Sequence, residues 1–210
     1  MRREPAGRSG VSVQLKLRTL ERGGPGRVGL DGIPPTKGDD PHMSNTTTST
    51  SPTFESHIGI DAEPRTDLIA HLNGLLADAI DLQLQAKLAH WNVRGPHFLP
   101  LHELFDRVHG QSVEFTDLIA ERIGQLGGLT QGNVQTVAAR SRLEVYGQES
   151  VLGTEHVRRV AAALASVGSE GRRGIDFASE HGDEVTADIL TEVTRGVDEL
   201  LCFVEAHLQG

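Results

Sequence analysis

Leu101-His102-Glu103-Leu104-Phe105-Asp106 and Asp117-Leu118-Ile119-Ala120-Glu121-Arg122 are two segments of one helical pattern that runs from about His97 to Leu126. Leu101, Leu104, Phe105, Val108, Phe115, Ile119, Ile123 and Leu126 recur at helical spacing and mark a core-facing stripe. At about 100° per residue, a second set centres about 170° away from that stripe: His102, Asp106, Asp117 and Glu121. Each close pair is spaced i,i+4, so its members sit one turn apart, and all four fall within a sector of roughly 100°. Carboxylates on a helix ordinarily form a solvated face. Mirror placement of two ligand-type pairs about Gly110, Gln111 and Ser112 serves no purpose on such a face.

The two pairs cannot serve one metal ion within one chain. At ~1.5 Å rise per residue their midpoints lie about 22 Å apart, whereas metal–ligand bonds span only about 2.0–2.6 Å. An antiparallel copy of the same helix removes the conflict. With a twofold axis near Gly110–Ser112, His102 and Asp106 of one chain lie beside Asp117 and Glu121 of the other, and the small residues Gly110 and Ser112 permit close approach. The pattern therefore predicts a homodimer with two metal sites at its seam. Histidine with Asp and Glu suits iron(II), zinc or manganese, and a set without thiolate argues against a closed structural zinc site. The chain has no Glu-x-x-His sequence, so the di-iron pattern built inside a single bundle is not expected.

Three further helical patterns surround this one. The first runs from about Arg65 to Asn92 on Leu68, Leu72, Leu75, Leu76 and Ala79, and Gly95-Pro96 breaks it. After Gly127-Gly128, residues Leu129 to Gly153 form a crossover with a short helix near Gln135–Ala139. The next long helix starts near Thr154, a suitable N-cap, and uses Val157, Val160, Ala161, Leu164 and Val167. Gly168, Gly171 and Gly174 within it mark a kink or a close helix contact. The last runs from Asp183 to about Leu208 on Val185, Ile189, Val193, Val197, Leu200, Leu201 and Val204. Two helical pairs joined by a long crossover predict an all-α, ferritin-like four-helix bundle. Residues 65–210 form this domain, 43–64 a flexible Ser/Thr-rich tail, and 1–42 a disordered Gly/Pro/Arg-rich extension. Met43 is a second candidate start, which would make the extension non-native.

Charge divides the chain in the same place. Residues 1–42 carry a net charge of +3 and the remainder −12; an acidic body favours cations and repels nucleic acid. The single cysteine, Cys202, excludes an intramolecular disulfide framework and reads as a small buried hydrophobe. Neither a transmembrane run nor a signal-peptide core is present, so a cytoplasmic, membrane-free protein is expected.

His90 and Trp91 stand at the end of the first helix. Singly, they read as a C-terminal histidine meeting the helix dipole and as a core or interface anchor. His97 and His109 are outer candidates around the metal site. The run Ala89-His90-Trp91-Asn92-Val93-Arg94-Gly95, taken with the His102–Asp106 and Asp117–Arg122 segments, resembles the Dps family, the DNA-binding proteins from starved cells. Asp183-Glu184-Val185-Thr186-Ala187-Asp188-Ile189-Leu190-Thr191 is similar to the same family, and the resemblance extends from about Arg65 to the C-terminus. It implies a hollow homo-dodecamer of four-helix subunits. Iron(II) would be oxidised by hydrogen peroxide at sites shared between twofold-related subunits, and ferric mineral would be stored inside. His90, His102 and Asp106 would come from one subunit, Asp117 and Glu121 from its partner. Trp91 would lie beside the centre and quench one-electron chemistry. Asp183 and Asp188 would line iron-entry pores, although Asp183 also suits a helix N-terminus. Other divalent metals could occupy the same ligands.

A DNA-compacting role is the alternative. Residues Met43–Pro64 contain no Lys or Arg. Such a role would therefore rest on the extension, through Arg2, Arg3, Arg8, Lys16 and Arg18, multiplied over the copies of a shell.

Overall fold

Four long helices and one short one carry the chain in a computed structural model that describes residues 54–147 and 152–209. They are α1 (Ala62–Asn92), α2 (Phe98–Gln125), α3 (Val134–Arg140), α4 (Gly153–Glu180) and α5 (Glu184–Glu205), the last continued by a 3-10 turn, Ala206–Leu208. Residue contacts gather Thr47–Gly210 into one unit, which holds every described residue. The expectations for residues 1–42 lie outside the described residues. Among the described residues the extended pairing is a single parallel bridge, Arg94 to Leu152, which ties the α1–α2 turn to the start of α4. No described helix is long and apolar enough to cross a membrane.

The bundle is two antiparallel pairs. α1 packs chiefly on α2 and α4 chiefly on α5, and α1–α4 and α2–α5 contacts close the bundle. The predicted apolar stripes of α1, α2 and α4 are buried, apart from a partly exposed Leu104. On α5 the buried set is Thr186, Ala187, Leu190, Val193, Thr194, Val197, Leu200 and Val204. Val185 is exposed instead of core-facing, because the buried stripe runs through Thr186 and Leu190. Cys202 also faces outward, off the Val197–Leu200–Val204 line, and is not the buried hydrophobe that composition suggested.

Helix ends follow local chemistry. α1 begins at Ala62, three residues earlier than the apolar pattern starts, because Pro64 is tolerated in a first turn and Glu63 complements the dipole there. α2 ends in a paired-carbonyl cap: Gly128 N–H donates to Ile123 O (2.8 Å), Gly127 N–H to Gly124 O (2.9 Å), and Gly127 takes φ 82°. Thr154 is the second residue of α4, not its cap; Leu152 holds that position without a side-chain bond. The glycines of α4 resolve to close contact. A Cβ on Gly174 would meet Leu190 Cδ1 at 2.6 Å, and one on Gly171 would strike Thr194 Oγ1.

The crossover is tied to the bundle by buried polar groups. Asn73 donates to Leu129 O (3.1 Å) and accepts from Gln131 N–H (2.9 Å). Asp78, fully buried, accepts from Arg142 N–H (2.8 Å) and Nε (2.9 Å), and Arg142 also pairs with Glu170 (2.7 Å). A buried carboxylate left without that arginine would be uncompensated, so α1 and α4 jointly fix the path of residues 141–147.

Candidate metal centre

His90 and His102 meet where the end of α1 passes the start of α2. Their rings stack at 3.6 Å between centroids, 22° from parallel. The His90 Nδ1–H donates to the His102 carbonyl at 2.8 Å, and the His102 Nδ1–H donates to the His90 carbonyl at 2.8 Å. A carbonyl can only accept, so both Nδ1 atoms carry the proton and both Nε2 lone pairs are left for a metal. The His90 carbonyl is available because it lies in the last turn of α1, beyond the helix's own donors. Phe98, 5.0 Å from the His102 ring, packs on the stack. Such bonds through the second ring nitrogen set orientation and basicity in metal-binding histidines.

Asp106 lies one turn beyond His102. It forms an ion pair with Lys87, which donates to its Oδ1, and that bond holds its carboxyl below the usual carboxylate range. His90 Nδ1 is 3.9 Å from the same oxygen. Lys87 is a participant that sequence reading missed. The signal was available: it precedes His90 by one turn on the same face of α1. A metal ion bound through Asp106 Oδ1 would compete with this ammonium.

Asp117 and Glu121 stand exposed on the outer face of α2. Gly110, between the two ligand pairs, has open space around it. Ser112, expected at the seam, is instead fully buried in its own bundle and donates to Val108 O at 2.7 Å, because it falls on the apolar side of the helix. Trp91 is 60 % exposed, which removes the core reading and leaves its indole on the surface beside His90. His109 Nδ1–H donates to Gln83 O (3.0 Å), and His97, exposed, holds the N-cap position of α2 without a side-chain bond. Among the described residues of one chain, no three His, Cys, Asp or Glu side chains converge as a metal would require.

Asp183 and Asp188 have different surroundings. Asp183 is buried at the N-cap of α5, where it accepts from Arg122 Nη2 (2.6 Å), from Thr186 N–H (3.0 Å) and from the Thr186 hydroxyl. Burial alone would raise its pKa, but those bonds outweigh it and hold the carboxyl below its ordinary range. The helix-capping reading therefore describes Asp183 in this chain. Asp188, on the next turn, is exposed.

Residues 69–210 match the family model described as Ferritin-like domain. The chain is 37 % identical over 157 residues to a "DNA protection during starvation protein" of Agrobacterium fabrum, covering 75 % of this chain and 97 % of that one. DpsA14 from Streptomyces coelicolor superposes with a TM-score of 0.72 at 31 % identity, covering 76 % of this chain and 95 % of that one. Dps from Microbacterium arborescens, solved in a high iron form, superposes with a TM-score of 0.67 at 28 % identity, covering 71 % and 97 %. A shared domain model across most of the chain, a relative of this identity and Dps structures of the same fold place the chain in the Dps family of ferritin-like proteins.

Proposed function

We propose that this protein is an iron-storing mini-ferritin that oxidises iron(II) with hydrogen peroxide and so protects against oxidative damage. The supporting observation is the reciprocal histidine clamp. It engages Nδ1 of both imidazoles and leaves Nε2 of each as the free ligand atom, at the edge of a face that carries Asp106, Asp117 and Glu121. The donor set is imidazole nitrogen and carboxylate oxygen, which suits iron(II) as substrate; zinc or manganese could bind the same groups.

Two chains complete each centre in this reading. His90, His102 and Asp106 belong to one subunit, and Asp117 and Glu121 to its twofold partner, because about 22 Å separates the two pairs along α2. The partner's carboxylates supply the negative charge that favours the ferric product over the ferrous substrate. Lys87 holds Asp106 in place of the metal until iron arrives, and Trp91 stands beside the centre as a one-electron donor. Twelve such subunits enclose a cavity in which ferric mineral collects, with Asp188 at the entry pore and Asp183 bracing the helix that carries it. The protein works in the cytoplasm. DNA binding through Arg2, Arg3, Arg8, Lys16 and Arg18 falls on residues outside those described, and no structural observation favours it.

Anaerobic iron(II) loading followed by a peroxide pulse, read by absorbance on protein sized by light scattering, tests the reading. Wild-type protein is expected to oxidise iron rapidly and keep it soluble in the assembly. The His102→Ala/Asp106→Ala variant should assemble and lose at least ~100-fold in that rate. Equal rates in the two proteins would remove the site assignment.

A further inference from the structure

Tyr146 is the only tyrosine of the chain, and the crossover sets it against α4. Its phenolic oxygen lies 2.5 Å from Nδ1 of His156, with the two rings 13° from parallel and 5.9 Å between centroids. His156 is 2 % exposed, and Phe105 meets it edge-on at 6.4 Å. Phe105, on the core-facing stripe of α2, joins the pair to the helix that also carries His102 and Asp106. On its outer side Tyr146 lines a cavity of about 710 Å³ with Glu144, Arg158 and Arg159. A small diffusing radical therefore reaches the phenol without entering the core.

Burial lowers the pKa of His156 from its ordinary 6.5 and raises that of Tyr146. The resting pair is a neutral phenol donating to a neutral imidazole. The other ring nitrogen of His156, Nε2, is buried with no partner among the described residues, so none of them takes the proton onward from the pair.

We infer that Tyr146 and His156 form a reversible one-electron donor that consumes the radical produced when peroxide meets a single iron(II). The inference rests on the iron-oxidation reading above. One iron(II) reduces hydrogen peroxide to hydroxide and hydroxyl radical, becoming iron(III). The radical takes one electron from Tyr146 and becomes hydroxide, while the phenolic proton moves to Nδ1 of His156; the tyrosine radical cation is a far stronger acid than imidazolium. A second iron(II) then returns one electron to the tyrosyl radical, and the proton goes back from His156. The sum is two iron(II) and one peroxide giving two iron(III) and two hydroxides, with no radical released. Tyr146 is the electron donor, and His156 is the residue that positions it and holds its proton.

Freeze-quench EPR on the full-length assembled protein tests this in two arms. In the first, without iron, a flash-generated ruthenium(III) oxidant is used in a Trp91→Phe background, so that the exposed indole does not compete. A tyrosyl signal is expected, with its high-field gx lowered by the hydrogen bond from protonated imidazole. His156→Gln should lose that shift and slow the oxidation on the order of tenfold or more. Absence of a tyrosyl signal, or an unshifted gx in the presence of His156, overturns the inference. In the second arm iron(II) and peroxide are mixed with Trp91→Phe and with Trp91→Phe/Tyr146→Phe, which keeps the ring volume and leaves no exposed indole to substitute for the phenol. Iron oxidised per peroxide should fall from two toward one in the variant, and spin-trapped hydroxyl radical should rise several-fold; equal values overturn it. Failure of both proteins to oxidise iron would refute the metal-centre reading, and the first arm would still decide the tyrosine.

Discussion

The two ends of the metal face on α2 are built differently. At the His102–Asp106 end, α1 reaches across: His90 stacks on His102, each imidazole bonds the other's backbone, and Lys87 holds Asp106. At the Asp117–Glu121 end both carboxylates are exposed, and no described side chain restrains either one. Gly110 marks the boundary between them, with open space around it. The first half is oriented before metal arrives, so its ligands have little rotamer freedom left to lose on binding. The second half gains its order only from what packs against it. In a twofold pair that is the ordered half of the partner.

Unequal damage to the two halves would show this most strongly. His90→Ala removes a donor and also the ring stacked on His102, leaving that imidazole held only by its Nδ1–H bond to the backbone carbonyl of residue 90. Affinity for cobalt(II), used as a spectroscopic probe, should fall more than ~100-fold, at the upper end of losses for combined ligand and orienting contacts. Asp117→Asn should cost less, about tenfold, because that carboxylate has no second role. Equal losses would mean that the clamp contributes nothing beyond one ligand.

A smaller change in the opposite direction is expected at Lys87. Lys87→Met keeps the stem and removes the ammonium that competes with a metal for Asp106 Oδ1. Cobalt(II) should bind a few-fold more tightly, because an exposed ion pair is a weak competitor. Weaker binding in Lys87→Met would show that Lys87 orients Asp106 for the metal instead of occupying its place.

The smallest effect lies in the core, and it separates packing from the metal face. Burial lowers the pKa of both His71 and His156 below 6.5. The unfolded chain therefore binds protons that the folded chain refuses, so stability falls as pH drops below 6.5 toward the folded values. Further down, the Asp183–Arg122 contribution is lost as pH falls from 3.8 through the depressed folded pKa of Asp183. Urea midpoints at pH 7.5 and 5.5 should differ by a small downward step at the lower pH. His156→Gln should shrink that step, and no step in wild type would contradict the buried-neutral assignment.

Periodicity made the bundle legible. The stripes of α1, α2 and α4 are core as read, because local spacing alone decides which side of a long helix is apolar. It failed where apolar residues were not the ones buried: Val185 is outside and Thr186 and Thr194 are inside, since α5 uses small hydroxyl residues against Arg122 and the glycines of α4. Ser112 was misplaced because a small polar residue gives no signal for which face it joins; its hydroxyl is satisfied by Val108 O, so it can be buried. The exposed placement of Asp106, Asp117 and Glu121 on α2, away from its core stripe, was readable from spacing. The clamp was not, because reciprocal bonding between His90 and His102 depends on how two helix ends cross. The Tyr146–His156 contact was equally hidden, since it depends on the crossover path that Asp78 and Asn73 fix from a distant helix.

The shared centre is tested most directly by complementation. His102→Ala/Asp106→Ala and Asp117→Ala/Glu121→Ala chains are each inactive in peroxide-driven iron oxidation if every centre draws on two subunits. Co-expressed and randomly paired, they leave about a quarter of the centres with both halves intact, one in each mixed twofold pair. Activity near a quarter of wild type in the mixed assembly, absent from either variant alone, is the expected result. A mixed assembly as inactive as its parents would contradict a centre divided between two chains.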